Sequence, residues 1–140
     1  MPIPTSGYSH VRLTVTDIAR SRAFYDQVFA FPIAMEVPPD PDADTAAQLG
    51  FLYGGVIYQC PHGLFGLRPV APGGDRFDEN RVGLDHLSFA VADRAALQTA
   101  AALLDSLDVE HSGVKDLGQF CILEFRDPDR IALELFAPAG

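Results

Sequence analysis

The stretch His10-Val11-Arg12-Leu13-Thr14-Val15-Thr16-Asp17 returns without a gap as His86-Leu87-Ser88-Phe89-Ala90-Val91-Ala92-Asp93. The offset is 76 residues (86 − 10), and both copies read histidine, then an apolar residue at every second position, then aspartate. An internal repeat constrains architecture more strongly than any local propensity. Alternation at period two is the pattern of a half-buried strand, so Val11, Leu13 and Val15 share one face, as Leu87, Phe89 and Val91 do in the second copy. Each histidine then falls on the opposite face, beside Arg12 and Thr14 or beside Ser88 and Ala90.

Outward from these strands, each aspartate is placed to cap a helix by accepting from orphan backbone N–H groups. Asp17 precedes a helix-like run, Ile18 to Phe29, and Asp93 precedes another, Arg94 to Leu107, whose stripe is Leu97, Ala100, Ala101, Leu104 and Leu107. Short strands follow both helices. In the first half they are expected near Phe31 to Val37, Leu49 to Cys60 with a bend at Gly54-Gly55, and Leu64 to Arg68, with Pro38 to Asp42 as loop. The second half offers Val109 to Val114, Gln119 to Arg126 and Ile131 to Phe136, with Pro128 presetting a turn. A Pro/Gly-rich linker, Pro69 to Arg81, separates the halves. The expected fold is α+β: two tandem βαβββ modules, at about 7–68 and 83–137, within one domain spanning 1–140.

Composition narrows the partners. The chain has 140 residues, 48% hydrophobic and 21% charged, which is ordinary globular usage and excludes disordered or collagen-like classes. Ten basic against nineteen acidic residues give a net charge of −9, which repels a phosphate backbone, so nucleic acid is not expected as a partner. No run is long and apolar enough to span a membrane, and Met1 to Ser6 has neither a basic flank nor an apolar core, so a cytoplasmic location is expected. Cys60 and Cys121 lack zinc-type or disulfide-type spacing and read as buried thiols.

Three residues stand out chemically. Ile131, Leu133 and Leu135 alternate with Ala132, Glu134 and Phe136, which puts Glu134 on the face that also presents the repeat histidines. Singly, a histidine at a strand start is ordinarily capped or solvated, and Glu134 could lie on an exposed face. Together, His10, His86 and Glu134 make a set of two histidines and one carboxylate, which holds a divalent metal with coordination positions left open. His62 and His111 have no repeat counterpart and read as loop or surface residues.

The two βαβββ modules, the paired His-to-Asp strands, the Ser21-Arg22-Ala23-Phe24-Tyr25 helix and the Asp127-Pro128-Asp129 turn before Ile131 to Phe136 resemble the vicinal oxygen chelate superfamily. That group includes glyoxalase I, bleomycin resistance proteins and type I extradiol dioxygenases, and the resemblance runs from about Tyr8 to Ala137. It implies curved sheets forming a U-shaped cleft, with His10, His86 and Glu134 as metal ligands. The family's fourth ligand position falls on Gly66, and Arg130 stands where a glycine is usual after Asp-Pro-Asp. Glycine has no side chain to coordinate with, so the acid–base ligand of glyoxalase I is missing here.

The resemblance therefore implies an enzyme using Fe(II), Mn(II), Zn(II) or Ni(II) on a small oxygen-rich substrate, of dioxygenase or lyase/isomerase type. Arg12, Arg68 and Ser88 are the candidate contacts to substrate or to the ligands. The rival is a metal-free protein of the bleomycin-resistance kind that sequesters a small cationic ligand. A homodimer is expected by family analogy, its clefts built within one chain or by exchange of modules across the linker.

Overall fold

The computed structural model describes all residues from Met1 to Gly140. The chain divides into two compact units, Met1–Gly74 and Asp75–Gly140. Each is a βαβββ module.

In the first unit, β1 (His10–Thr14) leads to α1 (Ile18–Val28), then β2 (Ile33–Glu36), α2 (Ala43–Gln48), a 3₁₀ turn at Gly50–Leu52, β3 (Val56–Cys60) and β4 (Gly63–Arg68). The strands form a sheet in the order β1-β4-β3-β2, with β1 parallel to β4 and the other pairs antiparallel. Asp17 caps α1 as its sequence position suggests, its carboxylate accepting from Arg20 N at 3.0 Å. One face of the sheet buries Leu13, Val15, Val56, Tyr58, Phe65 and Leu67, with Tyr25 of α1 packed 5.1 Å, ring to ring, from Phe65. Tyr58 is buried, and its hydroxyl donates to Asp26 at 2.9 Å, which satisfies the polar tip of an otherwise apolar residue.

In the second unit, β5 (Leu87–Ala90) leads to α3 (Arg94–Ser106), then β6 (Lys115–Asp116), β7 (Phe120–Arg126) and β8 (Ala132–Pro138), in the order β5-β8-β7-β6. Asp93 caps α3 through Ala96 N at 2.9 Å. Leu97 and Leu104 of α3 and Leu123, Phe125, Leu133 and Leu135 of β7 and β8 are buried. The two sheets thus repeat one topology, as the sequence repeat requires.

The structure corrects several boundaries. Leu49 to Gly55 is not strand: Leu49 ends α2, the 3₁₀ turn Gly50–Leu52 follows, and β3 begins only at Val56. Asp42 caps α2 by accepting from Thr45 N at 2.7 Å, and Tyr53 closes the turn in the left-handed region at φ 52°. The strand expected from Val109 to Val114 reduces to an isolated bridge between His111 and Phe125, with the ladder starting at Lys115. His111 is not a loose surface residue, since its side chain is only 12% exposed and its Nε2 lies 2.9 Å from Asp105 Oδ1. Of the two cysteines, Cys121 is buried and Cys60 half-buried.

Candidate functional site

Each sheet has one face against its helix, and the candidate residues lie on the other. In a ladder, cross-strand partners project to the same side. His10 pairs with Leu64, Arg12 with Gly66 and Thr14 with Arg68, so these side chains share the face away from the buried set. In the second unit Ser88 pairs with Glu134, and Glu134 in turn with Glu124.

The second unit brings two expected ligands together. His86 Nε2 lies 3.8 Å from Glu134 Oε2, too far for a hydrogen bond. The remaining polar atom of each is engaged: His86 Nδ1 is 2.6 Å from Asp85 Oδ1, and Ser88 Oγ donates to Glu134 Oε1 at 2.7 Å. An ionised carboxylate only accepts, so Nδ1 carries the proton toward Asp85 and Nε2 keeps its lone pair. The hydrogen bond to Asp85, reinforced by the charge of Glu134, raises the His86 pKa against a smaller opposing effect of burial.

This donor pair is near the spacing a divalent cation needs. Neighbouring donors about 2.0–2.2 Å from an ion stand about 3.0–3.5 Å apart, so the observed gap closes onto an ion with a side-chain shift of under about 1 Å. A histidine whose far nitrogen is held by a carboxylate, and a carboxylate whose far oxygen is held by a hydroxyl, form the supporting shell that metal-binding side chains ordinarily have. No three His, Cys, Asp or Glu side chains are gathered into a ligand set. His10 belongs to the first unit, where it is exposed and its Nδ1 lies 2.9 Å from Ser9 Oγ.

The other candidates serve different ends. Ser88 is placed against Glu134. Arg12 crosses Gly66, since a Cβ built on that glycine would meet Arg12 Cγ at 3.0 Å and Ile57 Cγ1 at 3.4 Å. Its Nη2 donates to the Phe51 carbonyl at 2.7 Å, and its guanidinium carbon is 5.9 Å from the Phe51 ring centroid. Arg68 stacks on Tyr53 at 4.3 Å. A cavity of about 240 Å³ opens among His10, Arg12, Met35, Phe51, Ile57 and Leu64.

Residues 7–135 match the model of the glyoxalase/bleomycin resistance protein/dioxygenase superfamily. The chain belongs to this superfamily. No curated protein matches it in sequence. Among solved structures, a glyoxylase/bleomycin resistance protein/dioxygenase domain from Frankia sp. EAN1pec is 29% identical, with a TM-score of 0.77 over 98% of this chain and 95% of that one. The fosfomycin resistance protein FosX from Listeria monocytogenes is 17% identical, with a TM-score of 0.70 over 97% of this chain and 96% of that one. Lactoylglutathione lyase from Agrobacterium tumefaciens is 16% identical, at 0.66 over 96% of each chain. The last two likenesses establish the glyoxalase-like fold and nothing about chemistry.

Within this superfamily frame, sequence reasoning missed Asp85, Phe51 and Tyr53. An acid directly before a repeat histidine was the available signal for Asp85. The two aromatic residues sat in a segment read as strand, where their approach to Arg12 and Arg68 had no visible cause.

Proposed function

We propose that the chain is a divalent-metal-dependent enzyme in which His10, His86 and Glu134 hold the ion, acting on a small substrate that presents adjacent oxygens. The observation that carries this reading is the pair His86 Nε2 and Glu134 Oε2, 3.8 Å apart with both far atoms already hydrogen-bonded. When bound, the ion supplies Lewis-acid polarisation of substrate oxygens and, if it is Fe(II), access to O₂ chemistry. Asp85 fixes the tautomer and plane of His86. Ser88 orients Glu134 so that Oε2 is the free oxygen. With Gly66 at the fourth position no protein carboxylate serves as acid or base there, so protons move through substrate or solvent. That disfavours a glyoxalase I type of isomerisation and leaves ring-cleaving dioxygenase or lyase chemistry.

The metal-free reading with a cationic ligand has an observation against it, because Arg12 and Arg68 line the open face of the first unit with no carboxylate paired to them. A cytoplasmic homodimer remains part of the proposal, supported by family analogy, and light scattering after size exclusion tests the dimer. The metal reading is tested by calorimetric titration of Zn(II) or Ni(II) into chelator-stripped protein. Saturable binding that weakens about tenfold in Ser88→Ala supports it, in line with the effect of removing a supporting contact. Absence of any saturable binding contradicts it.

A further inference from the structure

Aligned by the repeat, the two units carry opposite chemistry at equivalent positions. Arg12 stands 76 residues before Ser88, and their cross-strand partners are Gly66 and Glu134. Two residues further along the same strands, Arg68 in the first unit corresponds to Phe136 in the second. The first unit therefore has no acid and two guanidinium groups where the second has a carboxylate and its hydroxyl donor.

A second asymmetry accompanies the first. Only the first unit inserts α2 and the 3₁₀ turn between its second and third strands; in the second unit Asp116 and Phe120 are separated by a three-residue turn, Leu117-Gly118-Gln119. The insert delivers Phe51 to Arg12 and Tyr53 to Arg68. Both rings remain exposed, at 46% and 57%, and Tyr53 is held in a left-handed conformation that a tyrosine rarely adopts. Strain of this kind persists where surrounding structure demands it, and it concentrates at ligand sites.

Arg12 itself is not satisfied. One nitrogen is tied to the Phe51 carbonyl, while Nε is shielded from solvent and has no hydrogen-bond partner. None of the nineteen acidic residues is paired with it, in a chain whose net charge is −9. Beside it the cavity of about 240 Å³ is walled by Met35, Phe51, Ile57 and Leu64. At about 30 Å³ per water this volume equals about eight waters, enough for a six-membered ring with one small acidic group.

We infer that the cavity of the first unit binds a small apolar-bodied carboxylate, an aromatic acid being the best fit, with its anion on the Arg12 guanidinium and its body among Met35, Phe51, Ile57 and Leu64. A guanidinium fork matches carboxylate and phosphate alike, so the preference for a carboxylate with an apolar body over a bare phosphate comes from the walls of Met35, Phe51, Ile57 and Leu64, which phosphate leaves unfilled. This site deepens the function proposed above by naming its substrate class. It lies wholly in the first unit and is tested on metal-stripped protein, so its failure and that of the metal reading are separate results.

The experiment is titration of benzoate, benzamide and inorganic phosphate into chelator-treated protein, followed by NMR or calorimetry. Benzoate is expected to bind at least tenfold more tightly than either benzamide or phosphate. In Arg12→Gln the preference for benzoate over benzamide should vanish, while the circular dichroism spectrum and melting curve show the variant folded. Equal binding of benzoate and benzamide by the native protein overturns the assignment without recourse to any variant. So does phosphate binding as tightly as benzoate, or a benzoate preference that survives in folded Arg12→Gln.

Discussion

Gly66 and Glu134 occupy the same register position in their respective sheets: Gly66 is the cross-strand partner of Arg12, Glu134 is that of Ser88, and 76 residues separate Arg12 from Ser88. One duplicated strand pair thus ends in a carboxylate and the other in a bare backbone. The consequence is steric as well as chemical, because the space over Gly66 is filled by the stem of Arg12.

Gly66→Ala should therefore cost about 1–2 kcal/mol, since the added methyl meets flexible side-chain atoms that give way at the usual cost of overpacking. Gly55→Ala should be far worse, because its Cβ would come within 1.9 Å of the Leu67 carbonyl oxygen and 2.9 Å of that of Leu52. Backbone atoms cannot yield in that way, and a loss above about 4 kcal/mol or failure to fold is expected. Urea unfolding of both variants checks the contrast.

Arg130 and Ala30 hold left-handed conformations, at φ 68° and 53°. A side chain there costs about 1–2 kcal/mol relative to the right-handed region, and glycine removes that cost while giving back about 0.5–1 kcal/mol of chain entropy. Arg130→Gly and Ala30→Gly should each stabilise the fold slightly, by about 0.5–1 kcal/mol, seen as a higher urea midpoint at unchanged slope. The first would also restore the residue the family pattern expects after Asp-Pro-Asp. Its turn is held independently by Asp127, whose Oδ1 accepts from Asp129 N and Ile131 N at 2.9 Å each.

The hydrogen-bonded pairing with Arg126 holds the Glu79 carboxyl down to about 2. A depressed carboxylate contributes stability that is complete above its unfolded value, near 4.5, and is lost as pH falls through the folded value near 2. The stability gap between native protein and Glu79→Gln should therefore be constant from pH 7 to 5 and shrink steadily from pH 4 to 3. A gap that stays constant down to pH 3 would contradict the pairing.

His86 is shifted in the opposite direction, upward, chiefly by its bond to Asp85. In metal-free protein its contribution to stability is present below the unfolded value of about 6.5 and disappears as pH rises through the higher folded value. Protons compete with a metal for the same imidazole. Metal affinity should accordingly begin to fall at a higher pH than for an ordinary histidine, and Asp85→Asn should move that onset downward. Titration of metal binding at a series of pH values measures both.

The fold was legible where periodicity and caps agree. His10 to Asp17 and His86 to Asp93 alternate cleanly over a strand length and end in a capping acid, and both strands, both helices and the topology followed. The 3₁₀ segment was obscured because Leu49, Phe51 and Tyr53 alternate as a strand would, and α2 just before it is a six-residue helix, too short to declare an apolar face. The one signal for α2 was Asp42, three residues before the Thr45 amide it caps. The proposed site rests on the same logic. The repeat pointed to His10 and His86, the acid in an apolar strand pointed to Glu134, and the family resemblance pointed to Gly66. The rings over Arg12 and Arg68 come from the insert that breaks the repeat, so no internal symmetry could announce them.

The proposed ligand set requires His10, His86 and Glu134 to hold one divalent ion. Its most direct test is elemental analysis of the full chain after anaerobic loading with Fe(II), Mn(II), Zn(II) and Ni(II) in turn and removal of excess metal. About one equivalent of at least one of these ions per chain is expected, falling to background in folded His86→Ala and Glu134→Ala and sharply reduced in His10→Ala. Native protein that retains none of the four metals, or variants that retain as much as the native chain, would contradict it.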